Sequence, residues 1–166
     1  MSLNITDSEK YISITEEKID LLKMYNFIQC NEHGAIATFI GSIRNFNLNK
    51  NVISVSYDVY EELAIESFKE IINNCKKLFE SETKFKIYLE HFKGSLEPAA
   101  FSVAIGVSSV HRLEALEAVQ FIIEELKHKA PIWKQEHYEH SCSQWIKGHS
   151  LCKKSQPRIK TIEHNS

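Results

Sequence analysis

Two segments, residues 61–80 and 111–129, carry apolar side chains at helical spacing, while the stretches around them alternate apolar and polar residues. A period near 3.6 buries one stripe of a helix and a period of 2 buries one face of a sheet, so this chain has to build both and pack them together. In the first helix Ala64, Phe68, Ile71, Ile72, Cys75, Leu78 and Phe79 form the stripe. In the second Ala115, Leu116, Val119, Ile122, Ile123 and Leu126 form it, and Pro131 closes it. A shorter helix is expected from an N-cap at Thr15, with Glu16 and Glu17 in its first turn, to about Asn26.

Residues 11–14, 34–44, 52–60, 85–91, 101–107 and 132–140 read as strands. Ile53, Val55, Tyr57 and Val59 fall on one face of the third, and Phe101, Val103, Ile105 and Val107 point inward from the fifth. Asparagine-rich 45–51 reads as a loop or hairpin tip, and 94–99, with Pro98, as a turn. The order β-α-β-β-α-β-β-α-β is that of an α+β fold with a mostly antiparallel sheet. Residues 1–10 read as a frayed, flexible N-terminus and 11–147 as one domain. From Ser141 the pattern breaks up, and 148–166 reads as a flexible basic tail.

With 43% apolar residues, a chain of 166 supplies one core and not two. A net charge of -2 argues against a general nucleic-acid or anionic-membrane binder. No apolar run is long enough to span a bilayer, and the first 30 residues hold no apolar signal segment. The chain therefore reads as cytoplasmic, with Cys30, Cys75, Cys142 and Cys152 as reduced thiols.

Of 20 basic residues only three are arginine: Arg44, Arg112 and Arg158. Arginine presents a planar fork to phosphate or carboxylate that lysine cannot imitate, so these three carry weight. Arg44 closes a strand, His111 and Arg112 open the second long helix, Lys127 lies in its last turn, and Lys134 lies in the strand beyond Pro131. Each has an ordinary reading too: a last-turn lysine complements the helix dipole, and a strand-end arginine is solvated. If the groups converge, they make a basic pocket for an anion, phosphate first. Two lysines brought close would lower each other's pKa and free an amine for nucleophilic or general-base work.

Other chemistries find little support. His137, His140, Cys142, His149 and Cys152 match no regular zinc spacing, so they read as surface residues and no metal is expected. No cysteine neighbours a marked basic site, aspartate is too scarce to supply a Ser-His-Asp triad, and neither GxGxxG nor GxxxxGK[ST] occurs.

The segments GAIATFIGSIRNFN (34–47), SYDVYEELA (56–64) and VSSVHRLEALEAVQFIIEELKHKAPIWKQE (107–136) resemble the large, catalytic subunits of molybdopterin synthase. The resemblance covers about residues 11–147. It implies an α/β hammerhead with an additional antiparallel β subdomain. It implies a sulfurtransferase that converts cyclic pyranopterin monophosphate (precursor Z) into molybdopterin by adding two sulfurs. The donor would be a small ubiquitin-like subunit carrying a thiocarboxylate on its C-terminal glycine. Two large subunits would form a homodimer at the centre of a heterotetramer. No cofactor, nucleic acid or membrane is implied. The resemblance makes Lys127 and Lys134 catalytic, and gives substrate binding to Ser42, Ile43, Arg44, His111, Arg112, Lys127, Lys134, Gln135 and Glu136. This chain departs from many relatives at Asn49 and Ala99, where they carry glycine, and at Phe92 and Gln135, where arginine occurs. The alternative is a docking module that binds the small subunit without catalysis.

Overall fold

A computed structural model describes residues 3–79, 84–139 and 141–146. In chain order the elements are β1 (Leu3–Thr6), β2 (Lys10–Thr15), α1 (Leu21–Ile28), β3 (Ala35–Ser42), β4 (Phe46–Asn47), β5 (Lys50–Val59) and α2 (Glu61–Lys77). There follow β6 (Phe85–Phe92), β7 (Gly94–Leu96), β8 (Phe101–Ser109), α3 (Arg112–Lys129), β9 (Ile132–Tyr138) and β10 (Ser141–Ile146). The larger sheet has the order β1-β2-β6-β8-β3; the second has the order β10-β9-β5-β4, with β7 also paired to β5. β2 and β6 run parallel, and every other pairing among the described strands is antiparallel. The α+β expectation holds.

β6 and β8 sit inside the larger sheet and are covered on both faces, so burial runs along nearly their whole length instead of alternating. On one face Ile87, Leu89, Val103, Ile105 and Val107 pack beneath the stripes of α2 and α3. On the other, Tyr88 and Ala104 meet Met24 and Ile28 of α1 together with Val52, Val55 and Tyr138 of the second sheet. Each large aliphatic side chain so buried stabilises the fold by about 1.5–3 kcal/mol. Gly106 lets α1 approach: a Cβ there would meet Ile28 Cδ1 at 2.9 Å. Among the described residues no helix is long and apolar enough to cross a membrane.

Several expectations need correction. Residues 3–6 are not frayed, because β1 pairs along its length with β2. Thr15 does not cap a helix: it ends β2, and its hydroxyl accepts from the Glu17 N–H at 3.0 Å in a local turn. The cap is Asp20, whose carboxylate accepts from the Leu22 N–H at 2.8 Å, so α1 starts later and runs to Ile28. In β5 a bulge between Val52 and Ser54 puts Val52 and Val55 in the core and leaves Ile53 exposed, because one extra residue reverses the alternation. Leu78, at the C-cap of α2, Phe101 and Leu116 also face solvent. The pattern does not end at Ser141, since 141–146 form β10. Part of the expected turn at 94–99 is strand β7. The hairpin tip is present: Leu48 and Asn49 take φ of 47° and 59°, the conformation of a two-residue type I′ turn between β4 and β5. The expected tail, 148–166, lies outside the described residues.

Candidate active site

The site grows from strand alternation. Lys134, Glu136 and Tyr138 occupy every second position of β9 and therefore share one face. Glu136 is 2% exposed, which would make an unpaired carboxylate costly. Three donors satisfy it: Lys134 Nζ at 2.7 Å on Oε1, and Tyr138 Oη at 2.7 Å and Asn47 Nδ2 at 2.8 Å on Oε2. Burial raises the Glu136 carboxyl pKa, but bonds from Lys134, Asn47 and Tyr138 outweigh it and hold it below its ordinary value. The Tyr138 phenol is pushed up by burial and by that same carboxylate. Asn47 in turn accepts from the Arg44 guanidinium at 3.4 Å, a long contact. Arg44, in the segment between β3 and β4, and Lys134 of β9 thus share one polar network.

A second layer supports this face. Tyr57, opposite Lys134 in the β5–β9 register, packs edge-on against His91 with ring centroids 5.2 Å apart. Burial raises the Tyr57 phenol pKa. His91 donates from Nδ1 to the Phe92 carbonyl at 2.8 Å, and burial depresses its pKa to about 4, so it stays neutral.

Arg44 is aimed by the segment before it. Ile43 is buried, its N–H bonds the Ala100 carbonyl at 3.0 Å, and its own carbonyl accepts from Ala99 at 2.8 Å. Ile43 is thus an anchor whose backbone groups are already engaged. Ser42 is exposed at the bulged end of β3. Ala99 holds φ at 71°, so the turn gripping Ile43 keeps a glycine-type conformation with an alanine in it.

The remaining expected residues divide by position. Lys127 lies exposed in the last turn of α3, and among the described residues no carboxylate pairs with it. Ala130 and Pro131 then lead directly into β9 and Lys134. Lys134 is engaged by Glu136, so its charged partner is a carboxylate and not a second lysine. Gln135 stands on the opposite face of β9 from Lys134 and Glu136, between Ser56 and Trp145. His111 and Arg112 open α3 and are exposed. They adjoin the Ala35/Ser109 end of the β3–β8 pair, whereas Arg44 follows the Ser42/Phe101 end. Seven strand steps separate those ends, about 24 Å. One copy of the chain therefore unites Arg44, Lys134 and Glu136 but leaves His111 and Arg112 apart.

The sequence reading missed Asn47 and Tyr138. No spacing rule links Asn47 to a glutamate 89 residues away. Tyr138 was detectable in principle, two residues from Glu136 on the same strand face. Cys75 is buried in the core, and burial pushes its thiol up to about 12, which suits packing and not nucleophilic attack. His137 bonds Ser56 Oγ at 2.8 Å; His140, His149, Cys152 and the Cys142 side chain lie outside the described residues.

Residues 14–129 match the MoaE protein family. The chain belongs to that family. The molybdopterin synthase catalytic subunit of Synechococcus elongatus is 35% identical over 93% of this chain and 92% of its own length. That of Dictyostelium discoideum is 36% identical over 84% of this chain and 88% of its own. Among solved structures, molybdopterin synthase from Staphylococcus aureus superposes with a TM-score of 0.74 at 27% identity, covering 86% of this chain and 98% of that one. A protein–protein complex of subunits 1 and 2 of the Helicobacter pylori molybdopterin-converting factor contains a chain matching at TM-score 0.64 and 29% identity, covering 81% and 88%. The family is one of enzymes, and its named members here are catalytic subunits of molybdopterin synthase.

Proposed function

We propose that this chain is the catalytic subunit of a molybdopterin synthase and works with a small subunit. In this reading it transfers sulfur from that subunit's C-terminal thiocarboxylate to cyclic pyranopterin monophosphate. The observation that carries the site is the network joining Arg44, Asn47, Glu136 and Lys134 at the end of β9 that follows Lys127. In each transfer the donor's sulfur forms a carbon–sulfur bond on the pterin side chain as a carbon–oxygen bond at that carbon breaks and its oxygen leaves. Water then cleaves the donor's acyl carbon–sulfur bond, and the donor departs as a carboxylate. Negative charge develops at the acyl oxygen, and a fixed cation beside it lowers the barrier.

The two lysines then take different parts. Lys127, without a carboxylate partner among the described residues, is the amine free to meet the acyl group and move protons. Lys134, bound to Glu136, is a fixed ammonium that with Arg44 holds the substrate's phosphate. Ser42 lies exposed beside Arg44 and borders the substrate.

His111 and Arg112 belong, in this account, to the site of a second copy in a homodimer. Their separation from Arg44 supports that assignment, as do the exposed apolar residues Val110, Leu113 and Leu116 around the start of α3 and Ile36 on edge strand β3. Mixing two inactive variants, Lys127→Ala and Arg112→Ala, in the reconstituted complex tests it. A mixed dimer holds one intact site, so molybdopterin formation returns to a substantial fraction of wild type. Mixtures as inactive as either variant alone would place both residues in one copy's site and refute the assignment.

A further inference from the structure

We propose that Asn47 is a positioning residue of the sulfur-transfer site, its side-chain amide tying Arg44 to the Glu136–Lys134 ion pair so that the two cations keep one separation. The inference deepens the functional reading above and rests on it.

The chemistry of the two neighbours fixes how the amide must lie. A guanidinium can only donate and an ionised carboxylate can only accept, so the residue between them needs both an acceptor and a donor. Asn47 supplies them: Oδ1 faces Arg44 at 3.4 Å and Nδ2 donates to Glu136 at 2.8 Å. A carboxylate in its place could serve Arg44 but would oppose Glu136, and a methyl would serve neither.

The backbone under Asn47 is held firmly. It pairs with Lys50 across the tight turn at Leu48 and Asn49, and the Val52 N–H bonds the Asn45 carbonyl at 2.8 Å. The hairpin therefore delivers the amide to one place. Glu136, nearly fully buried, offers no looser arrangement, because its two oxygens already carry Lys134, Tyr138 and Asn47. Arg44, by contrast, is long and exposed, and Asn47 is its one side-chain partner among the described residues. Without the amide, Arg44 loses its link to β9 and Glu136 loses a donor.

The test uses the complete two-subunit enzyme with Asn47→Ala, Asn47→Asp and, as a control on the same hairpin, Asn51→Ala. Asn51 donates to Glu139 at 3.1 Å on the surface and has no link to Lys134. Asn47→Ala is expected to lower turnover about tenfold to a hundredfold, the scale on which misplacement by about 1 Å acts. Asn51→Ala should stay within twofold of wild type. Asn47→Asp sets two carboxylates against each other, which then share a proton. Relative to wild type its activity is expected to fall as pH rises and that shared proton is lost, a dependence a merely structural role would not create. Turnover of Asn47→Ala within twofold of wild type, or a pH profile of Asn47→Asp superimposable on wild type, would overturn the proposal.

A readout without turnover keeps this separate from the functional reading. Carbon-13 titration of the Glu136 carboxyl should show one step below the ordinary carboxylate range in wild type and a step displaced upward in Asn47→Asp. An unchanged titration would refute the link even if the complex makes no product. A displaced titration with an inactive wild type would instead sink the functional reading alone.

Discussion

His91 makes the fold's stability depend on pH below the ordinary imidazole range. Its imidazole is 6% exposed, packs on Tyr57 and donates to the Phe92 carbonyl. Burial lowers its pKa from 6.5 to about 4. Between those values the unfolded chain binds a proton that the native state refuses, so stability is complete above pH 6.5 and falls with pH toward 4. The full loss is about 3 kcal/mol, and about 2 kcal/mol of it is gone by about pH 5. His33 is also depressed by burial, so the wild-type curve alone does not isolate His91. The comparison is with His91→Gln, which keeps an N–H donor for the Phe92 carbonyl and does not titrate. Urea unfolding followed by far-ultraviolet circular dichroism at about pH 8 and pH 5 gives both stabilities. The stability of wild type relative to the variant should drop by about 2 kcal/mol between the two conditions. A constant difference across that range would refute the reasoning, because the native state would then accept the proton as readily as the unfolded chain.

Other outcomes follow from the same geometry. Lys127→Ala, at an exposed position without a carboxylate partner among the described residues, should leave the urea midpoint almost unmoved while abolishing product. Lys134→Ala should lose product and also about 1–3 kcal/mol of stability, because it strips a donor from the buried Glu136; the same urea titration separates the two variants. Ala99→Gly should stabilise the chain by about 1 kcal/mol in thermal or urea unfolding, since Ala99 holds φ at 71°. Gly41→Ala should cost about 1–3 kcal/mol, because the new Cβ would stand 2.6 Å from Val103 Cγ1.

The legible parts of this fold were those with a repeating physical cause. The stripes of α2 and α3, apart from Leu78 and Leu116, and the apolar runs of β6 and β8 follow from burial periodicity, and they form most of the core. Arg44 and Lys134 stood out because a strand end and a proline-bounded strand start display side chains. What escaped depended on single atoms or distant partners. Thr15 and Asp20 both suit an N-cap, and only the local turn at Thr15 decides between them. The bulge at Ile53 needs the register against β9, which no reading of β5 alone supplies. β1 is legible only once β2 exists as its template. The Asn47–Glu136 bond spans 89 residues and joins a hairpin tip to a strand. The separation of His111 and Arg112 from Arg44 likewise appears only when β3 and β8 are set in register.

The central claim is that this chain carries out sulfur transfer with Lys127 as the free amine. The direct measurement combines the purified chain with thiocarboxylated small subunit and precursor Z, and follows molybdopterin formation for wild type and Lys127→Ala side by side. The account predicts dithiolene product from wild type and none from the variant, with the subunit complex formed equally in both. A stable complex that yields no product with wild type, or product undiminished in Lys127→Ala, would contradict it.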